Sequence, residues 1–204
     1  MQHPLNQRVF VLTMVRRIPF TLFTLALLVA AAVGTDSAFS RLTRAWVRRV
    51  GFAPRDLGRN EWGRLFSSAL VTHGRWTFMS ALLAVVVLVG SAELRTSTRR
   101  TALTFWSVHL LTLLALMLPI FEKPMARDVG PSAGYYASLG QILTTLPAPQ
   151  RWIAFTGTLG WLVFALFQPP TNGLSVETKF SADAGHLIAF PLGFAGTLLF
   201  SRNR

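Results

Sequence analysis

Apolar residues in this chain run in long blocks and do not alternate with polar ones. Six blocks approach the roughly 17 to 25 residues that cross a bilayer as a helix. They are 18–34 (IPFTLFTLALLVAAAVG), about 76–90 (around SALLAVVVLVG), 102–120 (ALTFWSVHLLTLLALMLPI), about 129–146, 151–167 (RWIAFTGTLGWLVFALF) and 184–200. The second has an N-terminal extension through LFSSALVTHG. Pro147 and Pro149 precede the fifth, and Pro169 and Pro170 follow it. The fourth block is the least apolar and is rich in small residues, the composition of a helix buried among other helices. The pattern predicts an all-α membrane protein, a six-helix bundle over 18–204 with a cytoplasmic segment at 1–17.

The polar stretches refine this picture. The first block follows Arg8, Arg16 and Arg17, as a secretory signal would. Its apolar run is longer than a signal core and VGTDSAFS is a poor cleavage site, so a retained anchor with a cytoplasmic N-terminus is expected. The connector 35–64 carries seven arginines. RLTRAWVRRVGF interleaves them with Leu42, Trp46, Val47, Val50 and Phe52, which suits either a helix lying in the membrane interface or a solvated loop. Basic residues divide almost evenly between the two sides, so their bias does not set the orientation.

Composition agrees with a membrane protein. Only 14% of the 204 residues are charged, against about a quarter in soluble domains. Mean hydropathy is +0.44. Net charge is +12, but the arginines lie between apolar runs, so lipid headgroups are the expected counter-charge and nucleic acid is not an expected partner. Cysteine is absent, which removes disulfides and thiol nucleophiles. No metal-ligand pattern connects His109 and Glu93, no HExxH occurs, and no cofactor is expected. Neither a broken-helix repeat nor a carboxylate pair suggests a transporter.

Two residues carry candidate chemistry. Ser132, in DVGPSAGYYASLG, falls in the first turn of the fourth helix, and His186 in the first turn of the sixth. Those helices run in the same direction, so both residues lie at similar depth below one face. A serine and a histidine so placed form a base-activated nucleophile if they hydrogen-bond.

The surrounding motifs add to this. GPSAGYYA follows the pattern Gly-x-Ser-x-x-x-aromatic-Ala with Gly130, Ser132, Tyr136 and Ala137, and Gly140 comes next. GHLIAFPLG offers His186, Ala189 and Gly193. NEWGRLFSSALVTHG offers Trp62, Arg64, Leu65, Phe66, His73 and Gly74, and GSAELR offers Glu93. In this order, over roughly residues 60 to 200, they resemble the rhomboid family of intramembrane serine proteases. The resemblance implies a Ser132–His186 dyad with Tyr136 packed against the histidine. It also implies close helix approach at Ala137, Gly140, Ala189 and Gly193, and oxyanion support from the Ser132 N–H, His73 and Gly130. Ala189 replaces the family's usual glycine, one extra residue stands between Trp62 and Arg64 and another before His73, and two further departures bear on the chemistry. Phe78 and Leu82 stand where the family usually carries an oxyanion-side histidine and asparagine.

The expected activity is hydrolysis of peptide bonds in membrane-anchored protein substrates, in a bacterial inner membrane. The alternative is a pseudoprotease that binds transmembrane segments without cutting them. Asp183, with Ser181, is expected to cap the last helix. His109 is either a functional intramembrane histidine or one hydrogen-bonded to a neighbouring helix. Pro131 suits a first-turn position. The sequence names no oligomeric state.

Overall fold

A computed structural model describes residues 13, 15–59, 61–118, 127, 129–170 and 175–201, and every regular element among them is helical. Residues 1–12 of the N-terminal segment, the end of the third apolar block at 119–120 and the tail at 202–204 lie outside the described residues. The elements are α1 (Pro19–Gly34), α2 (Arg44–Val50), α3 (Arg64–Ser67), α4 (Arg75–Arg95), α5 (Thr98–Ala115), α6 (Ser132–Leu143), α7 (Ala148–Leu166) and α8 (Val176–Ser201).

Each apolar block yields a helix, but two boundaries differ from expectation. LFSSALVTHG does not extend α4. It folds as α3 and a 3-10 turn at Ser68–Leu70, and Gly74, at φ +154°, breaks the path before α4 begins. A side chain at that φ would be strained. The last helix begins at Val176, eight residues before the apolar block. Ser175 caps it, its Oγ accepting the Thr178 N–H at 3.1 Å. Lys179 and Asp183 then pair one turn apart, an i,i+4 contact that supports a polar first stretch of helix. Hydropathy alone cannot register those two turns.

α6 is the centre of the assembly, packing against α4, α5, α7 and most extensively α8. Its small residues explain why. A Cβ on Gly140 would stand 2.4 Å from the Phe190 carbonyl oxygen, and one on Gly193 would stand 2.2 Å from that of Ala137. The α6 and α8 backbones are therefore in direct contact, which only glycine permits at those two positions.

A carboxylate ties α1 to the end of α4. Buried Glu93 accepts hydrogen bonds from the Phe20 N–H (3.0 Å), the Thr21 N–H (2.8 Å) and the Thr21 hydroxyl (2.7 Å). These are N–H groups that the first turn of a helix cannot pair internally, and a negative charge there also suits the helix dipole.

Two helices, Arg75–Arg95 and Val176–Phe200, are long and apolar enough to cross a membrane by length and composition. Large apolar side chains cover the outer surfaces: Phe167 is 78% exposed and Trp76 74%. Water-soluble monomers rarely present such surface in contiguous patches.

Candidate active site

Ser132 is the first residue of α6, reached through a strap held at two points. Gly130 adopts φ +132°, a conformation favouring glycine, and its N–H donates to the Ser68 carbonyl at 2.7 Å. Gly130 thus positions the strap, and its N–H is already engaged and not available to an oxyanion. Before it, Arg127 grips Asp56 in a fork, Nη1 to Oδ2 at 2.6 Å and Nη2 to Oδ1 at 2.8 Å, and also donates to the Gly51 carbonyl at 2.7 Å. The Ala53 N–H completes the shell of the buried carboxylate at 2.7 Å. Burial alone would push the Asp56 carboxyl up. The Arg127 and Ala53 hydrogen bonds and the charges of Arg127 and Arg64 outweigh it and hold the group below its ordinary value of 3.8.

Sequence reasoning did not find this anchor. Its one signal was an acidic residue inside an arginine-rich connector. The connector is part helix with an exposed surface and part core. Thr43 caps α2 by accepting the Trp46 N–H at 3.3 Å, and Phe52 packs with Leu65 and Leu113 in the core.

At the start of α6 the first backbone bond is Tyr135 N–H to the Pro131 carbonyl, at 3.2 Å. The N–H groups of Ser132, Ala133 and Gly134 therefore belong to the set that a helix leaves without internal acceptors, at its positive end. One turn below Ser132, the Tyr136 ring stacks on His186 with centroids 4.1 Å apart and planes at 28°. The structure thus brings Tyr136 and His186 together one turn from Ser132, although His186 lies in the third turn of α8 and not the first. The expected packing residues meet here too. Ala137 and Ala189 are fully buried in one cluster with Ala133 and Val108, and Gly140 and Gly193 make the backbone contacts described above.

The polar atoms are unevenly engaged. His186 Nδ1 faces Asp183 Oδ1 at 3.8 Å, beyond hydrogen-bond range. Its Nε2 is buried without a partner. No hydrogen bond joins Ser132 Oγ to another described residue. Asp183 does not cap the helix, because α8 starts two turns earlier. It sits inside the helix between Lys179 and His186, and Lys179 also donates to the Ala165 carbonyl at 2.6 Å.

No family model matches the chain, and no curated protein matches it.

The remaining candidates fall elsewhere. His73 lines a cleft of about 340 Å³ with Arg41, Arg44, Arg75, Ser175 and Thr178, a lining that excludes Ser132 and His186. Thr178 precedes His186 by eight residues, about 12 Å along the helix. Burial lowers the His73 pKa from 6.5. Phe78 is buried in the first turn of α4. Leu82 packs into an apolar cluster with Phe20, Leu28, Val85, Val89 and Phe105. Neither can donate to an oxyanion. His109 is fully buried, and its Nε2 meets the Leu65 carbonyl at 3.1 Å. A carbonyl only accepts, so Nε2 carries the proton, and the ring fastens α5 to α3. Among the described residues, no group of three or more His, Asp or Glu side chains could hold a metal.

Proposed function

We propose that the chain is a six-span intramembrane serine protease of rhomboid type, with Ser132 as nucleophile and His186 as general base. The observation that carries this reading is the stack of His186 on Tyr136, the residue one helical turn from Ser132. The unpartnered His186 Nε2 is the atom required to take the Ser132 proton. As Oγ attacks a substrate carbonyl, the free N–H groups at the start of α6 face the developing oxyanion, a form of stabilisation often worth 10²–10³ in rate per donor. His186 then returns the proton to the leaving amine, and water hydrolyses the acyl-enzyme.

The lengths of the helices suit a membrane site. α5 has 18 residues and α7 has 19, about 27 Å and 28 Å at 1.5 Å per residue, close to a hydrocarbon core of about 30 Å. α6 has only 12, about 18 Å. With its C-terminal end near one face beside the start of α7, its N-terminal Ser132 lies roughly 10 Å below the other. That face is the outer one in this reading, the N-terminus is cytoplasmic, and the substrates are membrane-anchored proteins of a bacterial inner membrane.

A pseudoprotease that binds transmembrane segments is the second reading. Leu82, committed to an apolar cluster, and a Ser132 hydroxyl without a hydrogen bond to His186 favour it. Labelling by a fluorophosphonate probe in detergent separates the two. A protease is labelled, Ser132→Ala abolishes the label and His186→Ala strongly reduces it. Absence of labelling in well-folded protein selects the pseudoprotease.

A further inference from the structure

Toward the N-terminal end of α5 and the C-terminal end of α8 lies an open cleft of about 510 Å³. Its mouth is formed by Arg99 and Arg100, and its floor runs over Leu103, Ser107, Leu192 and Gly196. Neither guanidinium is paired with a carboxylate among the described residues, and no acidic residue lines the cleft. At Gly196 the space a side chain would fill is empty, with no atom within 4 Å of a Cβ built there.

We infer that this cleft binds an anionic glycerophospholipid, its phosphate on Arg99 and Arg100 and one acyl chain lying between α5 and α8. Three features select this occupant. Two unpaired arginines present planar donor forks suited to phosphate oxygens. Apart from Thr104 and Ser107, whose hydroxyl is turned back to the Leu103 carbonyl, the lining beneath them is apolar, as an alkyl chain requires. The dimensions also agree. From Arg99 to Val108, at the inner end of the lining, is nine residues, about 13 Å, against a leaflet hydrocarbon depth of about 15 Å. This rests on the membrane reading and orientation given above, which put the cleft in the cytoplasmic leaflet where anionic lipids attract basic residues. It is independent of the Ser132 chemistry.

The test is lipid retention by the full chain in a neutral detergent, read by native mass spectrometry. Dioleoylphosphatidylglycerol, dioleoylphosphatidylcholine and inorganic phosphate are titrated separately. One phosphatidylglycerol per chain should be retained about thirtyfold more strongly than phosphatidylcholine, the preference two surface arginines provide. The pair Arg99→Gln and Arg100→Gln should bring the two lipids to parity. The pair Arg99→Lys and Arg100→Lys should keep most of the preference. Gly196→Leu should weaken retention of both lipids while leaving both charges, and thermal melting identifies variants that merely unfold. Equal retention of the two lipids by the unmodified chain overturns the proposal. So does full competition by inorganic phosphate, which would mean an anion site without a chain, or a dimer that excludes lipid. Probe labelling of Ser132 stays as it was in every arm, so failure here is distinct from failure of the protease reading.

Discussion

Tyr136 lies flat on His186, with ring centroids 4.1 Å apart, and Tyr136 itself stands one helical turn from Ser132. Residues four apart on a helix have Cβ atoms roughly 5–6 Å apart, and in the proposed dyad this stack is what holds the imidazole beside the serine. The phenol hydroxyl is not needed for that. Tyr136→Phe should keep the labelling rate of Ser132 within about threefold, whereas Tyr136→Ala should lower it by about 10²-fold, the usual cost of ångström-scale misplacement. Labelling rates on variants of matched melting temperature check this. Equal rates for both variants would show that the stack does not position the base.

The closest approach of α6 and α8 yields a stability prediction. A methyl at position 193 would meet the Ala137 carbonyl at 2.2 Å, and one at position 140 the Phe190 carbonyl at 2.4 Å. Backbone atoms cannot rotate aside as a side chain would. Gly193→Ala and Gly140→Ala should each cost near the top of the ~1–3 kcal/mol typical of overpacking. Gly160→Ala, with nothing within 4 Å, should be neutral or stabilising, since alanine favours helix. Thermal melts in one detergent give the comparison.

The anchor between Arg127 and Asp56 predicts a dependence on acid. Asp56 is fully buried and its folded pKa lies below 3.8. In that situation the unfolded chain takes up the proton first as pH falls. The stabilisation from Asp56 is therefore complete above about 3.8 and is lost as pH falls through the lower folded value. Removing one partner of a buried pair costs about 3–5 kcal/mol. Asp56→Asn should fall at the low end, because Arg127 keeps its bond to Gly51. The difference in melting temperature between wild type and Asp56→Asn should be constant from pH 7 to 5 and shrink below pH 4. Comparing the two proteins cancels the separate loss that begins near 6.5, where an unfolded His73 starts to take up protons. A gap that widens toward low pH would contradict this ion-pair account.

How much of this was legible in the sequence depended on the type of signal. Apolar blocks located the helices because each buries or exposes a continuous apolar surface. They missed the first two turns of α8, where Ser175, Lys179 and Asp183 form helix by capping and pairing instead of hydrophobicity. Spacing in GPSAGYYA placed Tyr136 one turn below Ser132, and the rhomboid resemblance implied its contact with His186. The small residues Ala137, Gly140, Ala189 and Gly193 announced a close helix crossing, since their size matters only where backbones touch. The Arg127–Asp56 fork was hidden, because its partners are 71 residues apart and nothing local marks one arginine among many. The place of His73 was hidden for the same reason, as the cleft it lines is assembled from three separate segments.

The last prediction concerns the missing oxyanion partners. If Leu82 and Phe78 stood beside the site and merely lacked polar groups, restoring the family's pattern with Phe78→His and Leu82→Asn would raise activity. The packing argues for the opposite result at Leu82. Its half-buried side chain packs against the cluster of Phe20, Leu28, Val85, Val89 and Phe105, whose side chains can neither accept from nor donate to an amide. Asparagine there would set an amide against an apolar surface, at a cost toward the low end of the about 1–3 kcal/mol for an unsatisfied buried polar group, and would also leave part of leucine's space empty. Leu82→Asn should therefore lower the melting temperature and leave the labelling rate of Ser132 unchanged or reduced. A rate increase of tenfold or more with the melting temperature retained would mean that position 82 reaches the oxyanion after all. The free N–H groups of Ser132, Ala133 and Gly134 would then not be the main donors.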